Sequence, residues 1–307
     1  MIRQIILLII TICIGVYFVF YSNIFEFELN SLQRLAFYDM LFLYLAAASY
    51  CFIAGELTKN YSQVDRLWSI IPIVYCWYFT YSAGMDNRLI MMSCLVTIWG
   101  LRLSFNFARK GGFSILPWKG EEDYRWSVLQ KEVPALKTKL NWSIFNFLFI
   151  CFYQMGLIFL FSLPILAAWQ GEKEFSDLDI IIGAIMLLLI TIQTIADEQQ
   201  HKYQTKKYAL INGNHEISGN YKKGFIDTGL WKFSRHPNYS CEQLIWITFY
   251  FFSVSASGRL INWSIIGCIL LVILFYFSAK FSEGISSKKY PLYKDYQNKT
   301  PMFIGLK

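Results

Sequence analysis

The chain has 307 residues, 55% hydrophobic, 19% aromatic and only 16% charged, with a formal net charge of +7. Soluble domains carry about a quarter charged residues, so this composition excludes an ordinary soluble enzyme and calls for a solvent that is partly lipid. No G-x-G-x-x-G follows a strand pattern and no P-loop is present, which removes a soluble dinucleotide-binding or NTPase domain.

A bilayer-spanning helix needs about 20 mostly apolar residues. Eight segments fit in chain order: residues 4–21, 37–54, 67–81, 89–108, 144–168, 178–196, 239–256 and 261–279. The first is a long apolar run without a small-residue cleavage site and reads as a retained anchor. The third is the shortest. No internal repeat or separate polar domain interrupts the pattern. The expected fold is therefore all-α, one polytopic bundle of about eight transmembrane helices over residues 1–307.

Loop charge orients the bundle. Residues 109–141 hold seven Lys/Arg, residues 197–236 hold seven, and the tail from Lys280 holds six. Residues 170–177 hold one Lys against three acids, and residues 22–36 one Arg against two Glu. With all eight segments spanning, the basic loops share one side and both termini face the cytoplasm. The net charge then reflects topology and anionic lipid, and gives no argument for nucleic acid. The seven cysteines form no C-x-x-C pair and read as small packing residues. His201, His215 and His236 lack metal-ligand spacing, so no metal is expected.

Charges inside membrane helices are costly and each one raises a functional question. Arg102, Asn106 and Arg109 share a helix face, with Arg102 roughly 10 Å inside the cytoplasmic end. The sixth segment ends alike with Gln193, Asp197, Gln200 and Gln204. The seventh begins with Arg235, Asn238 and Glu242, and the eighth ends with Tyr276, Lys280, Glu283 and Ser287. Three readings stand side by side. Snorkelling suits Lys280 and Arg109. An ion-pair network holding the bundle suits Arg102 with a carboxylate. The third is a polar cavity, open to the cytoplasm, that holds a charged cofactor.

Pro237 suits a first helical turn, so a helix starts near Asn238 with Arg235 and His236 flanking its positive end. Free N–H groups beside an Arg make an anion site. Glu242, one turn deeper, can accept hydrogen bonds from a cofactor amine, amide or ribose. In the tail, Lys288, Lys289, Tyr290, Tyr293 and Tyr296 suit phosphates and a stacked base, and equally an amphipathic interfacial segment.

The stretch "GLWKFSRHPNYSCEQ", with "ADEQQHKYQ" before it and "YPLYKDYQNKTPMFI" after it, resembles the steroid 5-alpha-reductase-like membrane proteins, in particular the bacterial branch called DUF1295. "SQVDRLWSIIPIVYCWYF", "IWGLRLSFNFARKGG" and "GEEDYRWSVLQ" resemble that branch too, so the likeness runs from Gln63 onward. A similar R-H-P-N-Y…E core occurs in sterol C14 reductases and in isoprenylcysteine carboxyl methyltransferases. The resemblance implies an integral membrane enzyme, in a bacterial inner membrane, that reduces an activated C=C bond of a lipid. NADPH enters from the cytoplasm and a hydrophobic substrate from the bilayer. The cofactor is held by the C-terminal half, about residues 178–307. Carried over by motif, the cofactor residues are Asp197, Arg235, Asn238, Glu242, Tyr290 and Tyr293; His236, Tyr239 and Lys288 are further candidates beside them, with Gln193, Arg102, Asn106 and Arg109 on the polar stripes.

The family's reaction also uses a carboxylate and a tyrosine at the substrate carbonyl. "DRLWSIIP" puts Asp65 in the carboxylate's place, with Pro72 seven residues on. "RLSFNF" offers no tyrosine, Phe105 being the nearest aromatic, which argues against naming a steroid substrate. Asp65 reads equally as a helix N-cap or a partner of Arg66. Glu56, in what reads as a polar loop, is a second candidate acid. Two other classes remain open: an S-adenosylmethionine-dependent methyltransferase, with Glu242 on the ammonium, and a non-enzymatic lipid-binding protein. Arg235 is expected to favour NADPH over NADH through the extra phosphate.

Overall fold

The computed structural model describes residues 17, 25, 27–114, 116, 119–213 and 219–304. The expected first span, residues 4–21, lies outside them apart from Tyr17. Among the described residues the chain is all-helical, and five helices are long and apolar enough to cross a membrane. These are α1 (Ser31–Thr58), α4 (Asn87–Ala108), α6 (Lys139–Gln170), α7 (Asp177–Asn212) and α9 (Ile265–Lys289). The shorter elements are α2 (Gln63–Trp68), α3 (Ile71–Ser82), α5 (Tyr124–Glu132), α8 (Pro237–Ser257) and α10 (Tyr293–Lys299).

Two expected spans change character. Of residues 67–81, Leu67 and Trp68 end α2 and only those from Ile71 onward lie in α3, whose 12 residues reach about 18 Å, short of the ~30 Å hydrocarbon core. α8 is 21 residues long, but its opening turns carry Asn238, Glu242 and Gln243, and it is not among the five apolar helices. Glu56 is also corrected: it lies in the last turns of α1, not in a loop. α1 begins six residues before the apolar run because Asn30 and Gln33 close a capping box, satisfying two otherwise orphaned N–H groups.

The chain divides into two compact units. The first comprises Met1–Gly183 and Phe249–Leu270. Its core is aromatic, with Tyr75, Phe79, Trp99 and Phe161 fully buried. Gly100 lets α4 close on α3: a Cβ there would stand 2.4 Å from Ser69 O, so any side chain would push the helices apart. At the start of α4, Asp86 caps Arg88 and Leu89. Arg88 makes a bidentate pair with Asp179 at 2.8 and 3.1 Å and reaches Lys173 O and Glu174 O. Within α6, residues Asn146–Tyr153 are wound as a π-helix.

The second unit comprises Ala184–Thr248 and Leu271–Lys307. Two small aromatic clusters hold it. Tyr203, Ile226 and Trp231 form one, and Phe225, Tyr293 and Tyr296 the other. Trp231 Nε1 donates to Ala196 O at 3.1 Å, tying the short 3-10 helix Gly229–Lys232 to α7.

Candidate functional site

In the first unit the polar side chains gather around α2. Ser62 is its N-cap residue and Asp65 stands in its first turn, so Asp65 is not the cap. Nor is it the hydrogen-bonding partner of Arg66. That guanidinium reaches Gln63 Oε1 at 3.2 Å, Gly112 O at 3.2 Å and Lys119 O at 2.7 Å. Asn60 Nδ2 donates to Gly120 O and Tyr61 N to Glu122 Oε1, strapping the same stretch of chain over α2.

Asp65 Oδ2 is buried with no hydrogen-bond partner. Burial is the main cause that pushes the Asp65 carboxyl from 3.8 up to about 6, with nearby Asp123 adding to it. Ser62, Arg125 and Trp126 pull the other way, less strongly. Arg125 is itself spent on Asp123, at 2.9 Å through Nε and 2.5 Å through Nη2. The result is a carboxyl that holds its proton to higher pH than usual, with Oδ2 shielded from solvent. That suits a general acid near neutral pH.

Glu56 is arranged differently. Asn146 Nδ2 donates to Glu56 Oε1 at 3.0 Å, and Cys151 Sγ donates to Asn146 Oδ1 at 3.3 Å. Asn146 and Cys151 are five residues apart, the spacing that a π turn stacks. Lys59 adds an exposed pair to Glu56 at 3.4 Å. Glu56 therefore anchors α1 to the π stretch. On α4, Asn106 Oδ1 accepts from Arg109 Nε and Nη2, and the Arg109 guanidinium lies over the Phe105 ring at 5.7 Å. Asn106 is buried and Arg102 half-buried.

In the second unit a cluster of acceptors forms between α7 and α8. Gln193 Nε2 donates to Glu242 Oε2 at 2.6 Å and to Asn238 O at 3.3 Å. Trp246 Nε1 donates to Glu242 Oε1 at 3.1 Å. Asn238 Nδ2 donates to Asp197 Oδ1 at 3.0 Å. Gln193 Oε1 and Gln200 Oε1 are buried without hydrogen-bond partners. The stripes expected on the sixth and seventh segments thus meet, with Glu242, Gln193 and Asp197 all buried. Tyr239 stacks on His236, centroids 5.2 Å apart.

The remaining expected cofactor residues are engaged elsewhere. Arg235 Nε and Nη2 pair with Glu283 at 2.6 and 3.1 Å, and Nη1 donates to Gln297 O and Thr300 O. His236 Nε2 meets Glu283 Oε1 at 3.0 Å. The backbone N–H groups of Arg235 and His236 donate to Pro301 O and Met302 O, so the tail covers the expected anion site. Tyr293 is buried against Phe225, Tyr290 lies 3.5 Å from Lys207 Nζ, and Lys288 is exposed near the end of α9. Tyr293 and Tyr296 pack in the cluster with Phe225, and half-buried Tyr290 packs against its edge.

Sequence reasoning missed Trp126, Asn146 and Trp246. An i, i+4 step from Glu242 would have found Trp246, whereas Trp126 and Asn146 meet their partners only through long-range folding. No disulfide joins the described cysteines. No group of His, Cys, Asp and Glu able to hold a metal occurs among the described residues. The Glu242 cluster is rich in acceptors: the carboxylates of Glu242 and Asp197 and the buried Gln193 Oε1.

A family model described as "Protein of unknown function (DUF1295)" matches residues 51–300. An "Uncharacterized protein C594.04c" of Schizosaccharomyces pombe is 35% identical over 260 residues, covering 80% of this chain and 73% of that protein. That relative is fungal and gives no support to the bacterial membrane expected from the resemblance. No solved structure matches.

Proposed function

The chain belongs to the DUF1295 family, and on that premise we propose that it is a multi-pass membrane oxidoreductase that uses NADPH to saturate an activated C=C bond of a lipid. The observation that supports this reading is Asp65, a half-buried side chain whose Oδ2 is shielded from solvent and whose carboxyl pKa is pushed by burial up to about 6. Enone reduction needs such a group. Bound NADPH would supply a hydride to the β-carbon and leave as NADP⁺. Asp65 gives its proton to the developing enolate, at oxygen or the α-carbon, and is reprotonated from water. One hydride and one proton thus add across the double bond. Glu242, Gln193 and Asp197 hold donor groups of the cofactor. Asn238 and Trp246 fix those side chains and take no part in bond making.

One observation favours a second reading. Arg235 pairs with Glu283, which lends no support to a contact with the 2′-phosphate, while the cluster around Glu242 is rich in acceptors. Such a cluster also suits the ammonium of S-adenosylmethionine. Titrating the purified protein with NADPH and with S-adenosylmethionine separates the two. Saturable NADPH binding that weakens in Glu242→Gln supports the reductase. Binding of S-adenosylmethionine alone makes it a methyltransferase, and binding of neither leaves a lipid-binding protein.

A further inference from the structure

The far side of α7 carries a feature that the proposed reductase does not use. A cleft of about 390 Å³ lies between α7 and the chain from Tyr221 to Gly229, all within the second unit. Its α7 wall is Gln199, Lys202, Tyr203 and Lys206. These positions sit roughly 140° round the helix from the Gln193–Asp197–Gln200 stripe, at 3.6 residues per turn. The cleft and the acceptor cluster are therefore separate sites of opposite chemistry.

Its donors are plain. Lys202 and Lys206 are neighbours one turn apart, both exposed. Lys202 has a 3.4 Å pair with Glu198, but with side chains 75% and 40% exposed this contact is screened and easily exchanged. Lys206 Nζ stands 5.7 Å from the centre of the Tyr221 ring, which stacks on buried Tyr203. On the opposite wall Thr228 precedes the 3-10 helix and its hydroxyl makes no capping bond. Gly229 (φ +61°) closes the cleft floor, where a Cβ would strike the Gln199 side chain at 2.5 Å. Asp227, the nearby acid on this wall, is taken by Lys223 at 2.5 Å.

Depth supplies the second argument. The apolar run of α7 ends at Ala196, so the cleft begins about 5 Å beyond it and extends to about 15 Å. That is the headgroup level and the water just outside it. We infer that this cleft binds a phosphate monoester, held between the Lys202 and Lys206 ammonium groups with Thr228 donating to a phosphate oxygen. Tyr221 is the apolar shelf beside it. Such a phosphate can be carried by a lipid headgroup or arrive as a free ion.

The test is lipid retention by the purified full chain in detergent, read by native mass spectrometry. It is offered phosphatidic acid, phosphatidylserine and phosphatidylcholine in equal amounts. Phosphatidic acid should be retained over phosphatidylserine. Replacing both lysines (K202A with K206A) should weaken that retention roughly 30-fold, each lysine near a membrane surface contributing about a factor of five. Thr228→Val leaves every charge in place and should still weaken it several-fold. NADPH titration of the same variants should be unchanged, which keeps this inference independent of the reductase reading. Lysine-dependent thermal stabilisation by inorganic phosphate without lipid retention would assign the site to the free ion. Equal retention of phosphatidylserine, or retention indifferent to Thr228→Val, would reduce the cleft to general surface charge and overturn the inference. Failure to bind either phosphatidic acid or phosphate would overturn it as well.

Discussion

Arg235 and Glu283 form a buried bidentate ion pair across 48 residues, with side chains only 10% and 5% exposed. His236 and Gln297 complete the shell of the carboxylate. The pair fastens the C-terminal segment over the start of α8. Removing one partner of such a pair strands the other charge, which costs about 3–5 kcal/mol. Arg235→Ala should therefore lower thermal stability by about that amount and weaken NADPH and NADH alike. Arg235→Met combined with Glu283→Leu should recover most of the loss, because both charges are then gone. A variant Arg235→Ala that melts normally but loses NADPH selectively would return the guanidinium to the 2′-phosphate.

Asp65 makes stability depend on pH. Its carboxyl is raised to about 6 when folded and titrates near 3.8 when unfolded. The folded chain holds the proton more tightly, so stability falls as pH rises through that window and is flat above it. The difference of about two units corresponds to roughly 3 kcal/mol. Asp65→Asn removes the penalty and should stabilise the protein at pH 8 but not at pH 4, with Asp123, Arg125 and Arg66 the charged groups around it. Turnover per folded molecule should drop while cofactor affinity holds, since the proton is needed only in the transition state. In the unaltered protein kcat should fall as pH rises above about 6. Unchanged turnover in Asp65→Asn would make Asp65 a structural residue.

Glu242→Gln keeps the volume and one acceptor. Gln193 Nε2 and Trp246 Nε1 then compete for a single amide oxygen, a cost of about 1 kcal/mol. The protein should remain folded in detergent by circular dichroism, with its NADPH dissociation constant raised about tenfold, the loss of a charged hydrogen bond. An unaltered constant would place the cofactor elsewhere.

Topology offers a further check. The three basic stretches are separated by pairs of helices, α6 with α7 and α8 with α9. They share a side whether or not α3 spans, provided those four helices do. A reporter fused after Lys307 should be active in the cytoplasm. An N-terminal reporter depends on α3: if that 12-residue helix does not cross, the two reporters should fall on opposite sides. A C-terminal reporter on the far side would contradict the orientation set by loop charge.

Local signals in the sequence carried far. Pro237 marked the start of α8 correctly, and the i, i+4, i+7 stripes picked out Gln193, Asp197, Asn238 and Glu242, four residues that the fold joins in one hydrogen-bonded cluster. Apolar length alone drew residues 67–81 as one segment, whereas the chain turns at Ser69 and Ile70 and starts a new helix at Ile71, with Pro72 in its first turn. It also began α1 late, since the capping box of Asn30 and Gln33 lies outside the hydrophobic stretch. What stayed hidden was long-range. The commitment of Arg235 to Glu283 and the link from Glu56 to Asn146 depend on partners tens of residues away. No spacing rule names those partners, and the Asn146–Cys151 contact requires a π turn that composition does not announce.

Isotope transfer tests hydride delivery to a lipid double bond most directly. The protein, reconstituted in vesicles with a lipid extract from its host, is supplied with NADPH deuterated at C4 of the nicotinamide, on one face and then on the other. One of the two labels should appear in a lipid product carrying two added hydrogens, one of them deuterium, and Asp65→Asn should slow its appearance without abolishing NADPH binding. NADPH that binds while neither label ever reaches a lipid would contradict hydride transfer.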